Sequence, residues 1–179
     1  MVNKSLVKLI DEALLPATIL IVTKMASLFV VSYLLNLDFT VKMATFLKIL
    51  PTVHFVNPQD YILAENYSNM AMFLVSALGC AFVLVRAHFF HQSHIHPSLQ
   101  TKLISLNLES LIAPSYHLYH QATIWLLFLW LTTGFLILST ILGITYAPIS
   151  LVAFIITANF SWVLTIDIQK EVEITRETL

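Results

Sequence analysis

Histidines are the residues of this 179-residue chain whose type and spacing could do chemistry. Six of the seven histidines fall between residues 86 and 120. His88 and His91 form one pair and His117 and His120 another, each with the i, i+3 spacing that places two side chains on the same face of a helix. Imidazole binds zinc, iron, copper and nickel, and facing histidine pairs can also hold a haem iron. We therefore take these four residues as candidate ligands of a transition metal or a haem.

Two other interpretations of the histidines stay open. Imidazole is amphipathic, so histidines at the end of a membrane span can lie among lipid headgroups without binding a ligand. Imidazole also titrates near neutral pH, so the cluster could sense pH. Glu109 is the single carboxylate between residues 86 and 120, which leaves no bridging carboxylates for a dinuclear metal centre and one candidate for a general base. His54 lies far from the cluster in the sequence, and we assign it no role.

The composition restricts the class of protein. Hydrophobic residues make up 58% of the chain and charged residues 11%, well below the quarter or so that is typical of soluble globular proteins. Because so little charge cannot cover the surface of a water-soluble particle, we predict an integral membrane protein. The formal net charge of -1 argues against binding to nucleic acid, which needs a basic surface. Cys80 is the only cysteine, which excludes an intramolecular disulfide and a thiolate metal cage.

Four apolar segments are long enough to cross a bilayer as helices, and they must position the candidate residues. We predict an all-α, four-helix membrane bundle that forms a single domain over residues 1–179, with a histidine-rich connection at 86–120. A surface helix over 1–13 should lead into the first span, and the tail after residue 166 should extend the last helix. Two amphipathic helices, at 39–50 and 98–112, are expected to lie flat at the membrane surface. The predicted spans cover about 14–35, 67–85, 122–142 and 149–166.

The distribution of basic residues predicts the orientation of the spans. With four spans, both termini and the connection at 86–120 share one side of the membrane. Basic residues are more numerous on that side, which is normally cytoplasmic, so we expect both termini inside, in a bacterial cytoplasmic (inner) membrane. The side with the termini carries Lys4, Lys8, Arg86, Lys102, Lys170 and Arg176, and the other side carries Lys42 and Lys48.

A layer of polar residues is expected near the middle of the membrane. Counting inward from the ends of the spans puts five residues at a similar depth: Lys24, Ser76, Thr132, Thr133 and Asn159. An ionised lysine at the membrane centre costs roughly 2.5 to 3.5 kcal/mol on insertion scales, and we expect no carboxylate of this chain at that depth. Lys24 would then face a carboxylate of another subunit, lose its proton or reach toward the surface, or line an ion path.

Little of the chain lies outside the predicted spans, which leaves few places for an active site. The run from Ser76 to Ala81 is rich in small residues that let another helix approach closely. We therefore expect a non-catalytic structural or accessory subunit of a larger membrane complex, in contact with the lipid bilayer and with other membrane protein subunits. The alternatives are a metal- or haem-binding redox protein that uses the histidine cluster and, less well supported, a small ion or metal transporter.

Overall fold

The protein is described by a computed structural model that covers residues 4–43, 51–90 and 95–177. This part of the chain is mostly helical and contains five α-helices and one β-hairpin. The helices are α1 (Lys4–Leu34), α2 (Pro58–Phe89), α3 (Pro97–Ser105), α4 (Ser115–Ile141) and α5 (Ala147–Glu177), and the strands are β1 (Phe39–Met43) and β2 (Pro51–Phe55).

Four of these helices are long and apolar enough to cross a membrane, as the sequence predicts. The candidate spans are Ile10–Leu34, Pro58–Phe89, Ser115–Ile141 and Ala147–Glu173. The protein is therefore an integral membrane protein whose apolar helices contact lipid. The tail after residue 166 continues α5, which confirms that prediction.

Helix α2 begins at Pro58 and not near residue 67, so residues 58–66 belong to the helix. Asn57 caps the helix, since its side chain accepts a hydrogen bond from the backbone N–H of Gln59. Pro58 occupies the first turn, where its missing N–H costs nothing. By the predicted span boundaries Glu65 lies in a connection, whereas this early start puts it inside the helix. At 32 residues, α2 is about 48 Å long, more than the roughly 30 Å of a hydrocarbon core.

The amphipathic helix predicted at 39–50 is wrong for its described part, which forms a β-strand. Strand β1 pairs with β2 in antiparallel register, with Phe39 opposite Phe55 and Val41 opposite Val53. Apolar residues alternate along both strands, and this period of two outweighs the helical spacing on which the prediction relied. The Phe39 ring contacts Phe29 of α1 at 6.4 Å between centroids, so the hairpin packs against the end of that helix. Residues 44–50 lie outside the described part of the chain.

Two other predicted boundaries change. The surface helix expected over 1–13 is continuous with the first span, because α1 runs unbroken from Lys4 to Leu34. Pro16 therefore lies inside a helix and not in its first turn, and it is fully buried among the neighbouring helices. The helix expected at 98–112 is shorter than predicted. It ends at Ser105 and is followed by Asn107, whose φ of 60° is the left-handed conformation that terminates helices.

Helices α2 and α4 contact each other along most of their length, while α1 packs mainly on α2 and α5 mainly on α4. The small-residue run of α2 is the contact surface for α4, as expected, although the approaching helix belongs to the same chain. At Gly79 the fit is close, because a Cβ atom added there would overlap the Trp125 indole. The buried apolar side chains of this core are Phe73, Cys80, Val83, Leu84, Ala122, Leu129, Leu136, Ala153 and Leu164.

Replacing Gly79 by alanine should therefore destabilise the protein. We expect Gly79→Ala to lower the free energy of unfolding in detergent micelles by about 1–3 kcal/mol, the usual range for overpacking. The matched control is Gly134→Ala on α4, where an added Cβ meets no atom within 4 Å and where alanine is the better helix former. Equal effects of the two substitutions on unfolding would contradict the close α2–α4 contact.

Candidate functional site

Lys24 of α1 and Glu65 of α2 form an ion pair between the two helices. The Lys24 Nζ atom is 2.7 Å from Glu65 Oε1. It also donates hydrogen bonds to Ser68 Oγ at 2.8 Å and to Asn69 Oδ1 at 2.5 Å. An ammonium group has three protons, so these three acceptors match its full donor capacity. Both charged side chains are largely buried, with 24% of Lys24 and 22% of Glu65 exposed.

The acceptors share one face of α2 because of their spacing. Glu65, Ser68 and Asn69 follow the i, i+3, i+4 pattern that lines up side chains along a helix. A charge in an apolar environment is costly unless it is paired and hydrogen-bonded, and α2 supplies both an anion and neutral acceptors. The expectation that this chain offers Lys24 no carboxylate is therefore wrong. The error follows from the late start assigned to the second span.

The hydrogen bonds around Lys24 continue to α4 and to the α4–α5 turn. Asn69 donates from Nδ2 to Ser139 Oγ at 3.2 Å, which links the Lys24 cluster to α4. One helical turn earlier, Asn66 accepts a hydrogen bond from Thr145 Oγ1 at 2.8 Å. Asn66, Asn69, Ser139 and Thr145 are all buried. We call Lys24, Glu65, Ser68, Asn69 and Ser139 the lysine network.

The other predicted polar residues form a separate, deeper layer. Ser76 and Thr132 are hydrogen-bonded at 2.8 Å between α2 and α4, and Thr133 and Thr157 at 2.7 Å between α4 and α5. All four are fully buried. Thr157 was missed in the sequence analysis, although it stands two residues before the candidate Asn159. We call these four residues the hydroxyl layer.

Lys24 and Asn159 do not belong to the hydroxyl layer. Ser76 lies seven residues after Asn69 along α2, which corresponds to about 10 Å along the helix axis. Lys24 is central in its own apolar segment, but it faces the early turns of α2. Counting inward from the span ends fails here because α1 is displaced along its axis relative to its neighbours. Asn159 is exposed and donates to the carbonyl oxygen of Ile155 in its own helix at 2.8 Å.

Two of the described histidines, His88 and His120, contact carboxylates on other helices. His88 Nδ1 is 3.2 Å from both carboxylate oxygens of Asp167 on α5. His120 Nε2 is 3.3 Å from Glu12 Oε2 on α1, and its ring stacks on Tyr116. Neither carboxylate was a candidate in the sequence analysis, because both lie outside the stretch 86–120.

These contacts do not assemble the predicted metal site within the part of the chain that the structure describes. His117 contacts the ring of its neighbour Tyr116, at 5.9 Å between centroids. His91 lies outside the described residues. Across 4–43, 51–90 and 95–177, no three His, Cys, Asp or Glu side chains are grouped to hold a metal ion.

Comparison with known protein families, with curated proteins and with solved structures gives no match to this chain. Interhelical pairs in the described part of the chain include Lys24–Glu65, His88–Asp167 and His120–Glu12, and among these Lys24 makes the most hydrogen bonds.

The energetic coupling of Lys24 and Glu65 can be measured with a double-mutant cycle. We expect Lys24→Met and Glu65→Gln each to lower the free energy of unfolding, because each leaves one charge without its counter-ion. The double variant should be less destabilised than the sum of the two, with a coupling energy of about 0.5–3 kcal/mol. Lys102→Met, at an exposed position of α3, is the control for loss of a lysine charge. Additive effects would mean that the pair does not form.

Proposed function

We propose that the protein is a non-catalytic structural or accessory subunit of a larger membrane complex. The proposal is supported chiefly by the pairing of ionisable side chains between helices. Lys24 pairs with Glu65, His88 with Asp167 and His120 with Glu12, and each pair joins two different helices. Groups that would be reactive in an enzyme are thus engaged in fixing the relative positions of helices. This arrangement suits a protein that offers a defined shape to its neighbours.

The outer surface supports the same proposal. Helix α1 packs chiefly on α2, and several of its large apolar side chains are exposed. Leu14, Leu15, Val22 and Val30 are each more than half exposed. Such a helix can contact lipid or an apolar helix of another subunit equally well. Association with other subunits would not use Lys24, since that residue is engaged within the chain.

We propose that the four long helices form one membrane bundle with both termini on the cytoplasmic side of a bacterial inner membrane. The basic residues favour this orientation, because Arg86, Lys102, Lys170 and Arg176 follow or end the spans on the side of the termini.

Ion transport is less well supported than a structural role. Glu65 supplies the acidic residue that an ion path near Lys24 would need. Between the hydroxyl layer and His88, however, the described core is filled by apolar side chains of α2 and α4, among them Cys80, Leu84 and Leu129. A path from the lysine network to the histidines would have to cross this apolar block.

The proposal predicts that the protein leaves its native membrane together with other chains. After extraction in a mild detergent, we expect native mass spectrometry to find it in an assembly larger than 20.3 kDa that contains at least one different polypeptide. The Gly79→Ala substitution alters helix packing and should therefore reduce the amount of this assembly that is recovered. The Gly134→Ala substitution should reduce that amount less. A protein that is quantitatively monomeric at the first extraction, or that carries stoichiometric metal or haem, would contradict the proposal.

A further inference from the structure

A groove between α2 and α5 runs along apolar side chains and ends at the His88–Asp167 pair. Its apolar part includes two phenylalanines, Phe89 of α2 and Phe160 of α5. Its polar end consists of one imidazole and one carboxylate. Leu84, Val85 and Val163 also line the groove. The groove is distinct from the lysine network and from the contact between Glu12 and His120.

The polar end is built so that one nitrogen of His88 faces outward. Asp167 is buried, with 8% of its side chain exposed, whereas 51% of the His88 side chain is exposed. Nδ1 of His88 faces both carboxylate oxygens, so in the neutral imidazole the proton resides on Nδ1 and Nε2 is a hydrogen-bond acceptor. Among the described residues, no hydrogen bond uses Nε2. The Phe89 ring packs edge-on against the imidazole at 4.6 Å and restricts its orientation.

The position of the pair along the helices matches the edge of a bilayer. His88 lies in the last turn of α2. Asp167 lies 20 residues after Ala147, the first residue of α5, which is about 30 Å along the helix axis and equals the thickness of a hydrocarbon core. The polar end of the groove is therefore at the membrane surface, and its apolar part extends toward the interior. A molecule bound there would have the orientation of a lipid.

We propose that this groove binds a neutral isoprenoid quinol, whose phenolic hydroxyl donates a hydrogen bond to Nε2 of His88. The aromatic head would contact Phe89 and Phe160, which favours a planar ring over the aliphatic head of a lipid alcohol. A phosphate or fatty-acid headgroup is disfavoured, because its negative charge would lie beside Asp167. The proposal concerns binding alone and includes no transfer of electrons. It is independent of the proposed role as a subunit.

The test uses the full chain in phosphatidylcholine nanodiscs, titrated under anaerobic conditions with a decyl-chain benzoquinol. We expect saturable binding, seen as a shift of the His88 Nε2 resonance in histidine-labelled protein. His88→Asn should weaken binding at least tenfold, because the asparagine amide can still donate to Asp167 but supplies no atom at the position of Nε2. Val85→Trp should weaken it similarly by filling the groove while leaving the pair intact. Leu78→Trp, at an exposed position of α2 outside the groove, should bind as the unchanged protein does.

Circular dichroism of each variant establishes that it is folded, and Val85→Trp tests the groove even if His88→Asn fails to fold. Absence of saturable binding would overturn the proposal. So would affinity that is unchanged in both groove variants, since the quinol would then be bound elsewhere. Displacement of the quinol by dioleoylglycerol at equal concentration would assign the groove to lipid alcohols and would also overturn it.

Discussion

A lysine charge buried between apolar helices needs an anion and hydrogen-bond acceptors, and this requirement determines how α1 packs. Lys24 finds Glu65, Ser68 and Asn69 on one face of α2. Because a charge left without its partner in an apolar environment is costly, the two helices are restricted to the axial displacement that brings these residues together. The hydrogen bond from Asn69 to Ser139 also fixes the position of α4 relative to these two helices. The lysine network thus fixes α1, whose apolar segment is the least buried of the four candidate spans.

Away from the lysine network, the helices are held by close packing and by hydroxyl groups. Inside a bilayer, apolar surfaces gain little by leaving lipid, so van der Waals contact and interhelical hydrogen bonds determine helix association. The Gly79–Trp125 contact and the hydroxyl layer supply both between α2 and α4. At the opposite end from Lys24, His88 joins α2 to α5 and His120 joins α4 to α1. Several polar residues of the spans therefore hold neighbouring helices together.

Sequence reasoning located the four spans because long apolar runs have one physical solution in a bilayer, and it found the hydroxyl-layer members Ser76, Thr132 and Thr133 by depth. It missed Glu65 because a charged residue was taken as the end of a span, although Asn57 and Pro58 give a clear signal for an earlier helix start. The β-hairpin was missed because Phe39, Val41 and the residues opposite them fit a strand as well as a helix face. The partners of His88 and His120 depend on which helices are neighbours. The tertiary structure determines this, and the local sequence does not show it.

The packing of α1 depends most directly on the pairing of Lys24 with Glu65 within one chain. Solid-state NMR in bilayers can measure the dipolar coupling between lysine Nζ labelled with ¹⁵N and glutamate Cδ labelled with ¹³C, with Glu65→Gln identifying the contribution of this pair. We expect dephasing that matches the 2.7 Å contact between Nζ and Oε1 and that is unchanged when labelled protein is diluted with unlabelled protein. Dephasing that disappears on dilution would place the carboxylate on another chain. The absence of dephasing in undiluted samples would mean that Lys24 is not paired with Glu65 at all.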